Sequence, residues 1–304
     1  MKLSAFTVVR NAINFDYPVV ESINSVLPIV DEYVVALGDS CDNTTELVRS
    51  IENPRLKFLE RVWEPSLFNR GAILAHETTA ALDHCTGDWC IYLQADEVVH
   101  EKYLRVIVEA ARKYLHDERV EGFVLSFKHF WGDYNHYQKM RNWYRREIRI
   151  VRNKIGVRSW KDAQSFRING RKMNVVQIPA EVYHYGWVRD PHSIKIKSIA
   201  MDSLYHDEDW IERRYEGKSR EKPFEYGSRK NLAVFTGTPP KVMKRRIASM
   251  HWQIDEVPHI KHEHDRLSVR ILSAVENFLG TRFGEYRNFK LIGVDDELSI
   301  HIGN

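Results

Sequence analysis

Over the first 130 residues, short apolar runs alternate with stretches in which apolar residues recur every three or four positions. Leu3 to Val9 is almost continuously apolar, as expected of a strand buried on both faces of a parallel sheet. Pro18 suits the first turn of a helix, and Val19, Val20, Ile23, Val26 and Leu27 give that helix an apolar stripe. Tyr33–Leu37, Leu56–Leu59 and Trp89–Leu93 predict three more strands. Helices are predicted around Leu47, Val48 and Ile51, over Gly71–Leu82 with Ala72, Ala75, Thr79 and Leu82 inward, and over Tyr103–Tyr114. Strands and helices alternating through short connections predict a parallel sheet covered by helices. Such sheets bind ligands beyond the carboxyl ends of their strands.

The pattern changes at Phe123. Phe123–Phe127 and Glu147–Val151 predict strands, and between them lie Phe130, Trp131, Tyr134, His136, Tyr137, Trp143 and Tyr144. This predicts a mixed sheet with aromatic loops. Beyond Pro191 the chain turns helical and highly charged, Pro239-Pro240 marks a break, and Leu267, Ile271, Val275 and Phe278 give a late amphipathic helix. We therefore expect a boundary near residue 192, with a mainly helical extension over 193–304.

At 304 residues, 43% hydrophobic and 29% charged, the chain has globular composition, which excludes a largely disordered one. A net charge of +3 is too small to point to nucleic acid. Cys41, Cys85 and Cys90 do not make a disulfide framework and fit a reducing compartment. The N-terminal apolar run is too short for a signal peptide and no 18-residue apolar stretch exists, so a cytoplasmic location is expected. Lys241, Lys244, Arg245 and Arg246 form a basic cluster, either solvated or in peripheral contact with the inner face of a membrane. Gly217-Lys218-Ser219 is not a phosphate loop, because Glu212 stands where its first glycine should be. His259, His262 and His264 read as a charged helix surface.

Three polar clusters fall at predicted strand ends: Arg10-Asn11, Gly38-Asp39-Ser40-Cys41-Asp42-Asn43-Thr44, and Gln94-Ala95-Asp96-Glu97. The second reads as a turn with a helix cap, or as small residues and carboxylates that admit a ligand. The third reads as a helix start, with Asp96 capping and Glu97 complementing the dipole, or as oxygen ligands for Mg²⁺ or Mn²⁺ against a diphosphate.

Taken in order, Val8-Val9-Arg10-Asn11, the Asp39, Ser40, Asp42, Thr44 turn and Leu93–Asp96 resemble glycosyltransferase family 2 over about residues 3 to 100. Glu147–Arg152 resembles that family's Arg-rich strand, and His184-Tyr185-Gly186-Trp187 a late His-Tyr segment. The resemblance implies a GT-A fold, an α/β architecture with a mixed sheet flanked by helices. Residues 1–192 would form it, with a nucleotide-binding half over about 1–100 and an acceptor half over about 101–192.

The resemblance also implies transfer of a sugar, with inversion, from a nucleotide-sugar donor to a saccharide or lipid-linked saccharide. Val9, Arg10, Asn11, Asp39, Asp42, Gly71, Gln94 and Asp96 would bind the donor. Asp96 and His184 would hold Mg²⁺ or Mn²⁺; the alternative for His184 is a packed histidine. Asp162 is the expected base and Asp133 the reserve, the alternative for Asp162 being a surface partner of Lys161 or Arg158. Trp131, Trp160 and Arg149 would meet the acceptor.

Three departures stand out: Gln94 replaces the first acid of the family's Asp-x-Asp, Leu37-Gly38 its acidic pair after the second strand, and Ala75-His76-Glu77 its Ala-Arg-Asn. The competing classes are a nucleotidyltransferase on a similar fold, against which no Gly-rich phosphate loop follows the first strand, and a non-catalytic nucleotide- or sugar-binding protein, motivated by Gln94.

Overall fold

The computed structural model describes all residues except 69, 216–221, 255–261, 263–265, 281, 283 and 304. Gly217–Ser219, His259 and His264 thus lie outside the described residues. The apolar runs become parallel strands β1 (Leu3–Val9), β2 (Glu32–Leu37), β3 (Leu56–Glu60) and β4 (Trp89–Tyr92), in spatial order β4-β1-β2-β3. Every residue of β2 and β4 is buried, which is why neither alternates in polarity. Helices α1 (Val19–Val26), α2 (Thr44–Arg49) and α3 (Ala72–Asp83) make the crossovers.

Helix α3 buries Leu82 as expected, but the rest of its inward face is rotated from the one expected. Ile73, Glu77, Thr78, Ala81 and Leu82 are buried, whereas Ala72 is exposed. A polar residue sits in the middle of the inward face because Arg61 forks onto Glu77, Nε to Oε2 at 2.6 Å and Nη2 to Oε1 at 3.2 Å. An ion pair of this kind hides the apolar period from the sequence.

Beyond β4 the order continues through strands laid down later. These are β5 (Glu97–Val99), β6 (Gly122–Trp131), β7 (His136–Gln138), β8 (Arg146–Arg152) and β12 (Asn174–Trp187), with α4 (Leu104–Lys113) between β5 and β6. β8 pairs antiparallel with β4, β6 antiparallel with β8, and β12 parallel with β6 and antiparallel with β5. The residues Asp96-Glu97 therefore open a strand and not a helix, which corrects the helix-start alternative. The fourteen-residue β12 had no counterpart in the sequence pattern beyond its His-Tyr end. Between β8 and β12, β9 (Val157–Trp160), β10 (Ser165–Ile168) and β11 (Arg171–Lys172) form a separate three-stranded sheet.

After β12, Asp190 caps α5 (Pro191–Asp202), its Oδ1 accepting from the His192 and Ser193 amides at 2.9 and 3.2 Å. The expected boundary at 192 falls in the first turn of this helix. Helices α6 (Glu208–Arg214), α7 (Lys244–Ala248) and α8 (Leu267–Leu279) follow. The region also returns two strands to the main eleven-stranded sheet: β13 (Ala233–Val234) beside β7 and β14 (Lys290–Val294) beside β12.

Helix α8 is inverted relative to expectation. Leu267, Ile271, Val275 and Phe278 are exposed, Phe278 at 89%, while Ser273 and Glu276 are buried. The polar side is drawn in because the Arg141 amide donates to Ser273 Oγ at 2.9 Å and Arg141 Nη2 lies 3.5 Å from Glu276.

One buried fork joins β8 to β5. Arg149 donates Nε to Glu97 Oε2 at 2.7 Å and Nη2 to Oε1 at 2.6 Å, with both side chains fully buried. Its remaining Nη1 donates to the carbonyls of Ile148 and Gln164 at 2.9 and 3.0 Å, and its plane stacks between Tyr92 and Phe127. Arg149 is thus fully engaged inside the sheet, which corrects its expected acceptor role.

Removing one partner of such a pair strands a buried charge. Arg149→Met is expected to lower stability by about 3–5 kcal/mol. The check is the urea midpoint at unchanged slope, with Glu97→Met/Arg149→Met recovering most of the loss.

Candidate active site

The carboxyl ends of β1 and β4 open into a cavity of about 570 Å³, which Trp63 beyond β3 also lines. Side chains of the first two loops staple those loops together. Ser40 Oγ accepts from the Asn11 amide at 3.0 Å, Asn11 Oδ1 from the Cys41 amide at 2.8 Å, and Thr44 Oγ1 from the Ala12 amide at 2.6 Å. Asn11 takes a left-handed conformation, φ 55°, which Asn tolerates better than most residues. Asp42 accepts from the Asn14 and Thr44 amides at 2.8 and 3.0 Å and does not line the cavity, so its carboxylate acts as turn and cap. Asp39 stands behind Arg10, 3.1 Å from its Nε, and Arg10 in turn lies over Trp63 at 5.2 Å. Gly38 permits this packing, since a Cβ there would lie 2.7 Å from Trp63 Nε1.

Asp96 is the electrostatic centre of the cavity. Its Oδ2 accepts from the Lys197 ammonium on α5 at 3.0 Å, and Arg189 Nη2 lies 3.9 Å away. Burial opposes ionisation of Asp96, but the Lys197 and Arg189 cations outweigh it and hold the carboxyl well below the usual range. Burial and then Arg189 push Lys197 down to about 8, against the pull of Asp96. Arg189 Nη2 is buried and has no hydrogen-bond partner among the described residues.

The β5–β12 pairing brings His184 opposite Glu97, and so beside Asp96. His184 Nε2 lies 3.7 Å from Asp96 Oδ1. The hydrogen bonds behind it fix its tautomer. His129 Nε2 lies 2.8 Å from the Tyr144 carbonyl, which only accepts, so that nitrogen carries the proton. His129 Nδ1 is then the acceptor, and His184 Nδ1 donates to it at 3.0 Å. Burial lowers both imidazoles, His129 strongly, so both are neutral near pH 7.

A lone pair of His184 Nε2 therefore faces a carboxylate oxygen with no proton between them. Two acceptors so arranged suit a cation, and adjacent ligands of an octahedral Mg²⁺ stand about 3 Å apart. Gly186 keeps the gap open: a Cβ there would collide with His184 Nε2 and lie 2.8 Å from Asp96 Oδ2. The residues present thus fit a divalent cation held by one carboxylate and one imidazole. Among the described residues no third His, Cys, Asp or Glu joins them, which leaves the remaining positions of such a cation to water or a bound phosphate.

On the opposite wall, Asp162 lies in the β9–β10 loop between Lys161 (φ 58°) and Ala163 (φ 61°), two non-glycine residues in the left-handed region. Strain of this kind persists only where the surroundings impose it. Tyr205 Oη donates to Asp162 Oδ2 at 3.2 Å. Gly71, also left-handed at φ 71°, packs behind both; a Cβ there would lie 3.0 Å from Asp162 Cβ and from Tyr205 Oη. Gly71 therefore supports the Asp162 side rather than lining the cavity.

Of the residues expected from sequence, the cavity gathers Val9, Arg10, Asn11, Gln94, Asp96, Asp162 and His184. It leaves out four expected side chains besides Asp42, Gly71 and Asp39. Asp133 accepts from the Asn135 and His136 amides at 2.8 and 2.9 Å and pairs with Arg229, holding a turn. Trp131 is buried, donating Nε1 to the Tyr226 carbonyl at 3.1 Å and stacking on Trp187. Trp160 sits on β9 under Arg167, away from the wall, and Arg149 is inside the sheet.

Sequence reasoning missed Lys197, Trp63, Trp143, Trp187 and Tyr205, all of which line the cavity. Trp143 and Trp187 lay within aromatic segments that had been noticed. Lys197 carried no local signal, because nothing in its neighbourhood marks α5 as part of the site.

Gly186→Ala tests the gap directly. The variant is expected to lose the additional thermal stabilisation that Mn²⁺ gives with a nucleoside diphosphate, while circular dichroism remains native. Retention of the full Mn²⁺ effect would place the cation elsewhere.

The profile described as Glycosyl transferase family 2 matches residues 4–178. No curated protein matches the chain. Among solved structures, S. aureus TarS 1-349 in complex with UDP aligns at 13% identity over 71% of this chain and 72% of that one, with a TM-score of 0.37. Another structure of S. aureus TarS 1-349 aligns at 19% identity over 43% of this chain, with a TM-score of 0.32, and only 36% of its own length is spanned. Mannosyl-3-phosphoglycerate synthase from Rubrobacter xylanophilus aligns at 19% identity over 42% of this chain and 41% of that one, with a TM-score of 0.30. At such scores the weight rests on the profile match, which takes in more than half of the sequence and agrees with the mixed sheet flanked by helices. The chain belongs to glycosyl transferase family 2.

Proposed function

We propose that the protein transfers a sugar, with inversion, from a nucleoside-diphosphate donor to a saccharide or lipid-linked saccharide acceptor. The observation that carries this reading is that Asp96, His184, Lys197 and Asp162 line one cavity at the carboxyl ends of the parallel strands. The donor side is contributed by residues 1–100 and the acceptor side by 101–192, with α5 closing the cavity from the extension. Arg10 and Trp63, which line the cavity, would receive the nucleoside, with Asp39 holding Arg10 from behind, and Gln94 offers an amide to ribose or phosphate. The Lys197 ammonium, which lines the cavity, suits a diphosphate.

Asp96 and His184 would hold a Mg²⁺ or Mn²⁺ ion, whose chemistry is to neutralise a departing diphosphate. Asp162 accepts the proton of the acceptor hydroxyl as that oxygen bonds to the anomeric carbon. The bond from that carbon to the diphosphate breaks on the opposite face, and its electron pair leaves with the phosphate. Lys197 meets that developing charge, and the buried Arg189 behind it adds positive potential. Tyr205 orients the Asp162 carboxylate. Trp143 and Trp187 offer aromatic faces for the acceptor sugar.

Among the described residues no helix is long and apolar enough to cross a membrane. Peripheral contact with a cytoplasmic membrane face is the part of the reading that rests on Lys241, Lys244 and Arg245. Arg246 of the same cluster is engaged internally, donating to the Asp16 carbonyl at 2.6 Å.

The decisive experiment is a thermal-shift panel of UDP, GDP, CDP and dTDP, each with Mn²⁺ and with EDTA. One diphosphate is expected to stabilise the fold, more strongly with Mn²⁺; no shift with any of them would overturn the reading. Asp162→Asn is expected to lower turnover by about 10²–10⁴-fold with donor affinity retained, measured by initial rates and calorimetry. Product NMR showing a retained anomeric configuration would remove Asp162 as an inverting base.

Lys197 sets a pH dependence. Its ammonium, the form that meets a diphosphate, predominates below about 8 and is lost above it. Donor affinity in EDTA should therefore fall as pH rises through about 8 and level off once the higher value of the complex is passed. Lys197→Met should flatten the profile at the weaker affinity.

A further inference from the structure

Trp143 and Tyr144 line the cavity already described and also a second one of about 500 Å³ on their far side. This recess continues into a smaller one of about 210 Å³. Arg141, Arg145, Arg146, Arg282 and Arg287 surround the smaller recess, and the acidic residue in the walls of both is Glu285. The arginines come from two distant stretches of chain that the fold brings together, so their convergence is not a run of surface charge.

Their hydrogen bonds leave positive charge in excess. Glu285 accepts from Arg146 at 2.7 Å and from Arg287 at 3.2 Å. Arg145 Nη2 donates to the neutral Asn277 side chain at 2.7 Å. Arg282 donates to the Trp143 and Met140 carbonyls at 2.6 and 2.8 Å, and its buried Nε has no hydrogen-bond partner among the described residues. Burial, and next the neighbouring Arg145, push Arg282 down to about 10, as crowded cations require. Guanidinium forks match the geometry of phosphate and carboxylate oxygens. The buried indole N–H of the dividing Trp143 likewise has no hydrogen-bond partner among the described residues.

We propose that the recess binds an oxyanion of the acceptor, so that the acceptor is an anionic saccharide, carrying phosphate or carboxylate, that passes Trp143 to reach Asp162. This rests on the transferase reading above and names the substrate class of its acceptor side. The arginines hold the charged group, and the aromatic wall takes the sugar between the two cavities.

Calorimetry on the full chain with a nucleoside diphosphate present tests it, using four probes: trigalacturonate, a phosphodiester-linked glycerol trimer, neutral maltotriose and inorganic phosphate. One charged oligomer is expected to bind, more weakly at high salt, and the two charged probes decide between carboxylate and phosphate. Arg145→Gln and Arg287→Gln should each weaken it about tenfold, with Arg145→Lys restoring part of the loss and nucleotide binding unchanged. Maltotriose binding as tightly as the charged oligomers, or unchanged affinity in both Gln variants, would overturn the proposal. So would binding of inorganic phosphate alone, which would mark a free-ion pocket. If the oligomer bound but no nucleotide did, the recess would stand as an anion site and its acceptor role would fall with the transferase reading. If nucleotide bound but no oligomer did, only the recess would fall.

Discussion

The fork between Arg149 and Glu97 is the constraint from which the site follows. Glu97 adjoins Asp96, and Arg149 lies on β8, two strands away from β1 in the sheet. Locking the two together fixes where β5 leaves β4, and therefore where Asp96 points. It also holds the Gln164 carbonyl, two residues from Asp162, so one guanidinium ties together the segments that carry the two cavity carboxylates, Asp96 and Asp162. A buried pair of this kind contributes little net stability compared with well-packed apolar residues. Its value here is positional: the alternatives for β5, including the helix start its sequence permits, leave Glu97 without its partner.

Around that frame the chemistry depends on hydrogen-bond direction more than on residue identity. His184 could serve as a packed histidine, a charged partner of Asp96 or a metal ligand. The Tyr144 carbonyl narrows these through His129, by fixing one proton at each step and leaving His184 Nε2 as an acceptor. Outer partners commonly control a ligand imidazole in this way. Gly186 contributes the remaining condition, an unfilled space between two acceptors.

The parallel half of the fold was legible because buried parallel strands read as continuous apolar runs and its helices are apolar along one side. The motif residues Asn11, Asp96, Asp162 and His184 were likewise legible, and all four line the cavity. What escaped had physical causes. Glu77 on Arg61 disguised the inner face of α3, and Arg141 drew the polar side of α8 inward. Strand β12 alternates only in part, because its neighbours cover it unevenly along its length. Trp131 and Arg149 were expected at the acceptor from the family resemblance, whereas the structure places Trp131 in an aromatic cluster and Arg149 inside the sheet. Lys197 could not be found from sequence, since its meaning comes from a partner 101 residues away.

Helix α5 touches both ends of the cavity. It carries Lys197 on Asp96, and the turn that follows it carries Tyr205 on Asp162. On the proposed reading, a group bound beside Asp96 and one bound beside Asp162 would rest on the same helix and the turn that follows it, so the two ends of the cavity share one support.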